Sequence, residues 1–152
     1  MVTIMNKSKP STSGDRIIDT MIELARCSKA HRIIVAGPNG PQQRFELHRR
    51  GYNRVATTTT CGLPCGQYDA AFVEWQLRSI KPLEATLDWL AHFLAPKSVV
   101  VIWIATRECQ DHQKLGSVLE RLGFRVEAGT RCERGLAVSA RRLEANQQVI
   151  AA

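Results

Sequence analysis

The sequence predicts an α/β fold in which a doubly wound, mostly parallel sheet ends in an antiparallel hairpin. Short apolar segments alternate with segments whose apolar residues recur at helical spacing, the pattern of helices that cross between parallel strands. Near the end of the chain the alternation stops, and two strand-like segments follow each other across a polar turn. We expect one domain over residues 14–145, between a flexible arm of residues 1–13 and a tail of residues 146–152.

The first part of the chain predicts a helix, a strand and a second helix. Apolar residues recur at helical spacing over residues 15–28, so this segment predicts an amphipathic helix beside the sheet. Residues 33–36 are a short apolar run and predict the first strand. Pro41 suits the first turn of the next helix, where a missing amide donor costs nothing. We expect Phe45 and Leu47 to be the main apolar contacts of that helix.

The middle of the chain continues the alternation. Residues 54–60 are rich in β-branched side chains and predict the second strand. The segment YDAAFVEW, residues 68–75, predicts a buried parallel strand because it is apolar almost throughout. Residues 81–95 place leucines on one helical face, with Pro82 in the first turn, and we expect Pro96 to end this helix.

The last part of the chain predicts a central strand, a helix and the hairpin. Residues 99–104 are the most hydrophobic run and are expected at the centre of the sheet. A leucine-rich helix over residues 115–122 ends at Gly123, as helices often do at glycine. Residues 124–129 and 135–143 predict the two antiparallel strands.

The turn after the first strand, within HRIIVAGPNGPQQ, is the most informative segment for function. In α/β proteins such a turn lies at the carboxyl edge of the sheet, where glycines let a ligand approach the backbone and a helix begins. The spacing of Gly37 and Gly40 is G-x-x-G, so the dinucleotide fingerprint G-x-G-x-x-G is absent. The two glycines could hold a phosphate, a carboxylate or a methionine tail, or could serve the geometry of the turn alone.

The order of these segments over residues 15–143 resembles the class I S-adenosylmethionine-dependent methyltransferases. Residues 31–40 resemble the first motif of that family, and YDAAFVEW resembles its fourth strand. The segment LDWLAHFLAPKSVVVIWI resembles the next helix and strand, and LGSVLERLGFRVEAG with GLAVSARR resembles the closing helix and hairpin. The resemblance implies a methyltransferase-like sheet, S-adenosylmethionine as the cofactor, and methyl transfer to an unknown acceptor.

The resemblance also implies where the cofactor binds. The turn and the ends of the neighbouring strands are the expected contacts, and the tryptophan could either stack on the adenine or be buried in the core. The residues are Gly37, Pro38, Asn39, Gly40, Thr57 and Trp75.

Three departures fall where the family carries its chemistry. Val35 and Ala36 stand where an acidic residue usually precedes the glycines, and residues 57–60 are threonines where Asp or Glu usually binds both ribose hydroxyls. Residues 60–67 are too few for a helix, a strand and a helix, because one crossover alone needs about 10 to 12 residues. We expect fewer strands, a missing pocket wall and weak cofactor binding. EWQLRS stands where members that methylate amino groups carry Asn or Asp followed by Pro-Pro and an aromatic residue, so no catalytic residue is assigned.

Two functions therefore compete, with a third as a distant alternative. The first is a methyltransferase-like domain that binds S-adenosylmethionine weakly and transfers its methyl group. The second is a non-catalytic interaction or scaffold module that retains the fold. The partner is an unknown small molecule or protein, and assembly into a homo-oligomer is open. In-line methyl transfer depends mainly on positioning, so the lack of an evident acid or base excludes neither function.

The third function, a basic nucleic-acid-binding module, rests on the net charge of +7. One basic group is His48, Arg49, Arg50 and Arg54, and another is Arg131, Arg134, Arg141 and Arg142. Glutamates are interspersed and no aromatic platform accompanies the arginines, so we expect a solvated surface and no nucleic-acid partner.

The cysteines predict free thiols and no metal. Cys61, Cys65, Cys109 and His112 could together supply four zinc ligands, but their loops are expected three strands apart, about 14 Å at normal strand spacing. The longest apolar run is too short to span a bilayer, and the first residues lack the apolar segment of a secretory signal. We expect a cytoplasmic protein with no membrane contact.

Overall fold

A mixed sheet lies at the centre of the computed structural model, which describes residues 13–37, 39–58, 66–75, 81–105, 109–132 and 135–143. In this part of the chain the sheet has six strands. They are β1 (Ile33–Ala36), β2 (Val55–Thr57), β3 (Tyr68–Trp75), β4 (Leu94–Ile104), β5 (Phe124–Cys132) and β6 (Gly135–Arg142). The helices are α1 (Ser13–Ala25), α2 (Gly40–Arg49), α3 (Lys81–Ala91) and α4 (Cys109–Arg121).

The strand order is β2-β1-β3-β4-β6-β5. The first four strands run parallel to one another, whereas β6 lies antiparallel to both β4 and β5. The chain therefore reverses its direction of winding at β1, where β2 lies on one side and β3 on the other. The predicted doubly wound sheet with an antiparallel C-terminal hairpin is confirmed.

Helices cover both faces of the sheet, and alternate residues of each strand point to opposite faces. Ile33 and Val35 pack with α1 and α2, whereas Ile34 and Ala36 pack with α3 and α4. We call these the α1/α2 face and the α3/α4 face. Because both faces are covered, the central strands are apolar on both sides, as parallel strands in α/β proteins usually are.

The edge strand β2 is shorter than the predicted segment of residues 54–60. Its neighbour β1 pairs with it from Ile33 opposite Val55 to Val35 opposite Thr57. Nε of Arg44 in α2 donates to the carbonyl oxygen of Val55 at 3.0 Å, which occupies a polar backbone group of the edge strand. Such a contact limits pairing with a further strand at this position.

The helix α3 ends at Ala91, earlier than the predicted end near Pro96. The chain turns at His92 and Phe93, and Leu94 then begins β4 opposite Tyr68. Leu94 was predicted on the apolar face of the helix, but it is a buried strand residue. The helix ends early because β4 already pairs with β3 at Leu94, five residues before the apolar run at residues 99–104.

The expected core role of Phe45 is wrong. Its side chain is 63% exposed, while Leu47 in the same helix is fully buried on the α1/α2 face. Two residues that are two positions apart in a helix point about 200° apart, so they cannot share one apolar face.

The second basic group of the sequence does not form a cluster. Arg131 lies opposite Leu136 at the turn end of the hairpin, whereas Arg141 lies five residues further along β6, about 17 Å away at normal strand rise. Arg142 continues β6 beyond Arg141, and Arg134 lies outside the described residues.

None of the described helices is long and apolar enough to cross a membrane.

Candidate functional site

The glycine turn follows β1 at the carboxyl edge of the sheet. Gly37 has φ +120°, a backbone conformation that side-chain-bearing residues rarely adopt. A Cβ on Gly37 would stand closer than 3.0 Å to the backbone carbonyl oxygen of Glu74 in β3. Glycine is therefore required here by both its conformation and the close approach of a neighbouring strand. Pro38 lies outside the described residues.

A buried carboxylate lies beside this turn. Glu74 is only 4% exposed and belongs to the most apolar part of β3. Its Oε2 accepts a hydrogen bond from Nδ2 of Asn39 at 3.2 Å, and its Oε1 accepts one from Nε2 of Gln43 at 2.5 Å. We refer to Asn39, Gln43 and Glu74 as the amide–carboxylate cluster. It joins the start of α2 to the end of β3.

The start of α2 explains how the cluster is positioned. Asn39 precedes the helix, and its side chain makes no capping hydrogen bond within α2, because its amide is directed to Glu74. Gln43 begins the helical ladder by donating its backbone N–H to the carbonyl oxygen of Asn39 at 2.9 Å. The negative charge of Glu74 thus stands next to the first turn of a helix, where the helix dipole favours an anion.

Thr57 closes the other side of the turn. It ends β2, is buried, and its Cγ2 would be 3.9 Å from a Cβ placed on Gly40. The end of β2 therefore lies next to the start of α2. Thr57 is the first of the threonines at the position where the resemblance implies Asp or Glu. Thr59 and Thr60 lie outside the described residues.

Trp75 lies on the other face of the sheet from Glu74. Its side chain is 8% exposed and packs in the core cluster of the α3/α4 face. Its backbone carbonyl oxygen accepts a hydrogen bond from Ala105 N–H at 3.0 Å, which links the ends of β3 and β4. The structure thus brings Gly37, Asn39, Gly40 and Thr57 together, with the Trp75 ring buried beneath the opposite face.

Sequence reasoning missed Glu74 and Gln43. Glu74 lies inside the apolar run YDAAFVEW, and a charged residue inside such a run signals a buried polar partner. Gln43 lies one helical turn after Gly40, so its side chain faces the same edge as the glycine turn. These two signals together could have identified the cluster.

The four residues that were weighed as zinc ligands, and expected to bind no metal, fall outside what can be described. Cys61 and Cys65 lie between the described segments, and the side chains of Cys109 and His112 are not described either. Within the described ranges, no three His, Cys, Asp or Glu side chains gather in a way that could hold a metal ion.

Comparisons with known proteins address the fold. No protein-family model matches the chain, and no curated protein sequence matches it significantly. Solved structures do match. A 1,6-didemethyltoxoflavin-N1-methyltransferase of Burkholderia thailandensis, solved with 1,6-didemethyltoxoflavin and S-adenosylhomocysteine, has a TM-score of 0.61 at 11% identity, over 88% of this chain and 79% of that chain.

Two further structures extend the likeness. A SAM-dependent methyltransferase of Aquifex aeolicus has a TM-score of 0.59 at 15% identity, over 84% of this chain and 89% of that chain. The [4+2]-cyclase SpnF has a TM-score of 0.62 at 14% identity, over 85% of this chain and 80% of that chain. The chain therefore has a class I S-adenosylmethionine-dependent methyltransferase-like fold.

Proposed function

We propose that the chain binds S-adenosylmethionine weakly at the glycine turn and presents it to an acceptor for methyl transfer. The observation that carries this proposal is the buried Glu74 carboxylate beside a turn that only glycine can form. The fold places this turn at the carboxyl edge of the parallel strands, where ligands of open α/β sheets bind.

The charge of the turn favours this cofactor over a phosphate-bearing one. A helix start usually attracts anions, but here Glu74 already supplies the negative charge beside α2. A phosphate at the same place would be repelled by that carboxylate. S-adenosylmethionine carries a sulfonium and an ammonium group besides one carboxylate, so its net positive charge complements Glu74.

The end of β2 is the reason to expect weak binding. Thr57 offers one hydroxyl, which cannot accept both ribose O–H groups as a carboxylate does. Hydrogen bonds to a charged acceptor are about twice as strong as neutral ones. Losing a bidentate contact of this kind weakens binding by on the order of a hundredfold.

The chain's own contribution to transfer would be positioning. When bound, S-adenosylmethionine supplies an activated methyl group for in-line displacement by a nucleophile. Gly37 would let the ligand approach the backbone, and Glu74 would orient its positive end. The acceptor is unidentified, and we assign no acid or base to the chain.

Titration with S-adenosylhomocysteine, followed by amide NMR and calorimetry, tests the proposal. We expect dissociation constants of hundreds of micromolar, with the largest shifts at Gly37, Asn39 and Thr57 and none at Gly116 in α4. Low-micromolar binding that Gly37→Val abolishes would indicate a fully working cofactor site and strengthen the enzymatic hypothesis. Absence of any shift at millimolar ligand would contradict the proposal.

The second candidate function is a non-catalytic interaction module. The threonine at the end of β2 favours it, because among the described residues this position carries a hydroxyl where the resemblance implies a carboxylate acceptor for the ribose. The likeness to a [4+2]-cyclase also illustrates that one fold serves more than one named activity. A chain that binds no methyl donor but co-purifies in a stoichiometric complex, including a homo-oligomer, would favour this candidate.

A further inference from the structure

We infer that the amino-terminal edge of the sheet holds a second site, which binds a small molecule carrying a phosphate monoester. A cavity of about 320 Å³ opens at this edge. It is lined by Arg32, Asn53, Arg54, Val55, Ala56 and Tyr68.

The topology brings these residues together from three strands. Arg32 immediately precedes β1, Arg54 immediately precedes β2, and Tyr68 opens β3. The three strands are neighbours in the sheet and run parallel, so their amino ends meet at one edge. Gly37 follows the other end of β1, about 16 Å from Arg32 at normal strand rise. The cavity is therefore separate from the candidate cofactor site.

The backbone around the two arginines is fixed. The N–H of Arg32 donates to Oδ2 of Asp69 at 2.9 Å, and the carbonyl oxygen of Arg54 accepts from Ile33 N–H at 2.8 Å. Nη1 of the half-buried Arg32 donates to Oε1 of Gln67. The backbones of both arginines are thus held at the edge of the sheet, and the Arg32 guanidinium is also held by Gln67.

Neither guanidinium is neutralised within the described part of the chain. Arg49, Arg50, Arg121 and Arg141 all form ion pairs with carboxylates. By contrast, no described carboxylate lies within the 4.0 Å ion-pair distance of the Arg32 or Arg54 guanidinium. Asp69 follows Tyr68 at the same edge of the sheet, and its described bond is to the backbone N–H of Arg32. The cavity therefore carries two permanent positive charges.

The chemistry of the lining selects the ligand class. A guanidinium binds phosphate or carboxylate oxygens in a planar, bidentate manner. Two guanidinium charges are balanced by the dianion of a phosphate monoester, whereas a carboxylate balances only one. Ala56 and Tyr68, which both belong to the α3/α4 face, add apolar lining that suits the organic part of such a molecule.

Calorimetry with phenyl phosphate tests the inference. We expect millimolar or tighter binding, weaker binding of inorganic phosphate because it lacks the apolar part, and weaker binding of benzoate because it carries one charge. Arg32→Gln and Arg54→Gln should each weaken phenyl phosphate binding by about tenfold or more. Arg131→Gln is the matched control, because Arg131 lies exposed on β5 near the turn of the β5–β6 hairpin and does not line the cavity. This substitution should leave the affinity for phenyl phosphate unchanged.

Three outcomes would overturn the inference. The first is the absence of binding at millimolar phenyl phosphate. The second is a loss of affinity for Arg131→Gln as large as that for Arg32→Gln. The third is tighter binding of an oligonucleotide that carries no terminal phosphate than of phenyl phosphate. Arg54 is exposed, so Arg54→Gln tests the site without disturbing the core. Thermal unfolding of each variant separates a lost contact from a lost fold. Because the cavity and the glycine turn lie at opposite edges, failure here leaves the proposed cofactor site untouched.

Discussion

The backbone of Gly37 lies against the carbonyl oxygen of Glu74, so that a single added carbon on Gly37 would overlap with β3. The same residue, Glu74, directs its side chain to Asn39 and Gln43 at the start of α2. The turn, the end of β3 and the first turn of α2 are therefore one packed unit. A change in the turn should affect stability as well as ligand binding.

Gly37→Ala is predicted to destabilise the protein by about 2 to 4 kcal/mol, because the methyl group meets a backbone atom and φ +120° is strained for alanine. Gly116→Ala is the matched control. A Cβ on Gly116 in α4 meets nothing within 4 Å, and alanine favours helix by up to about 1 kcal/mol. Urea unfolding measures both. Equal effects of the two substitutions would show that the Gly37 contact is not as close as described.

Leu47 and Phe45 should respond differently to truncation. Leu47→Ala removes a fully buried side chain and is predicted to cost about 2 to 5 kcal/mol. Phe45→Ala removes an exposed ring and should change the free energy of unfolding by no more than about 0.5 kcal/mol. Denaturant titration of the two variants is the measurement. A large loss of stability for Phe45→Ala would restore the core role that its sequence position suggested.

Glu46 is predicted to make stability depend on pH in the acid range. Desolvation opposes the shift, but hydrogen bonds from Arg50 and Arg49 lower the pKa of Glu46 overall. Arg50 also binds Asp19, so this network connects α2 to α1. A group with a lowered folded-state pKa stabilises the fold above its unfolded pKa, and this contribution disappears as the pH falls through the folded value.

The expected size of the Glu46 effect is about 0.5 to 1 kcal/mol at neutral pH after allowance for solvent screening. The difference in unfolding free energy between the unmodified chain and Glu46→Gln should be present at pH 7 and should shrink below the ordinary glutamate pKa of about 4.3. Glu23→Gln, on the exposed side of α1, is the control and should show no such change. A difference that persists unchanged at pH 2 would contradict the ion-pair explanation.

Cys27 is predicted to react slowly with alkylating reagents at neutral pH. Burial raises the pKa of the Cys27 thiol, and a backbone hydrogen bond only partly offsets this. Since the thiolate is the reactive form, alkylation by iodoacetamide should accelerate only above the ordinary cysteine pKa of about 8.5. Mass spectrometry of the Cys27 peptide at several pH values checks this. Rapid labelling at pH 7, at the rate seen for the urea-unfolded chain, would be inconsistent with a buried thiol.

Strands that are apolar along most of their length were predictable from the sequence. β1 and β3 have the predicted bounds, because a mostly apolar run leaves few alternative boundaries for a strand buried on both faces. The end of α3 was not predictable from local pattern, because Leu94 suits a helix face as well as a strand. Leu94 is a strand residue because it pairs with Tyr68, and this contact is between residues far apart in the sequence.

The candidate site was predicted only in its backbone. Gly37 and Gly40 predicted a turn at the carboxyl edge, because glycine after a buried strand usually indicates a backbone conformation that other residues rarely adopt. The amide–carboxylate cluster was not predicted, because Glu74 and Gln43 are far apart in the sequence and meet only because β3 pairs with β1, whose carboxyl end leads into α2. Periodicity ranks residues by hydropathy, and it does not report which buried polar groups will pair.

The ratio of the affinities for S-adenosylmethionine and S-adenosylhomocysteine, measured by calorimetry in the unmodified chain and in Glu74→Gln, tests the central claim most directly. Unit charges about 8 Å apart interact by about 2 kcal/mol at an effective dielectric constant of about 20, and salt reduces this. We therefore predict that the sulfonium form binds about 3- to 30-fold more tightly than the neutral thioether, and that Glu74→Gln removes this preference. Equal affinities in the unmodified chain, or a preference that Glu74→Gln leaves intact, would contradict the assignment of the glycine turn as the methyl-donor site.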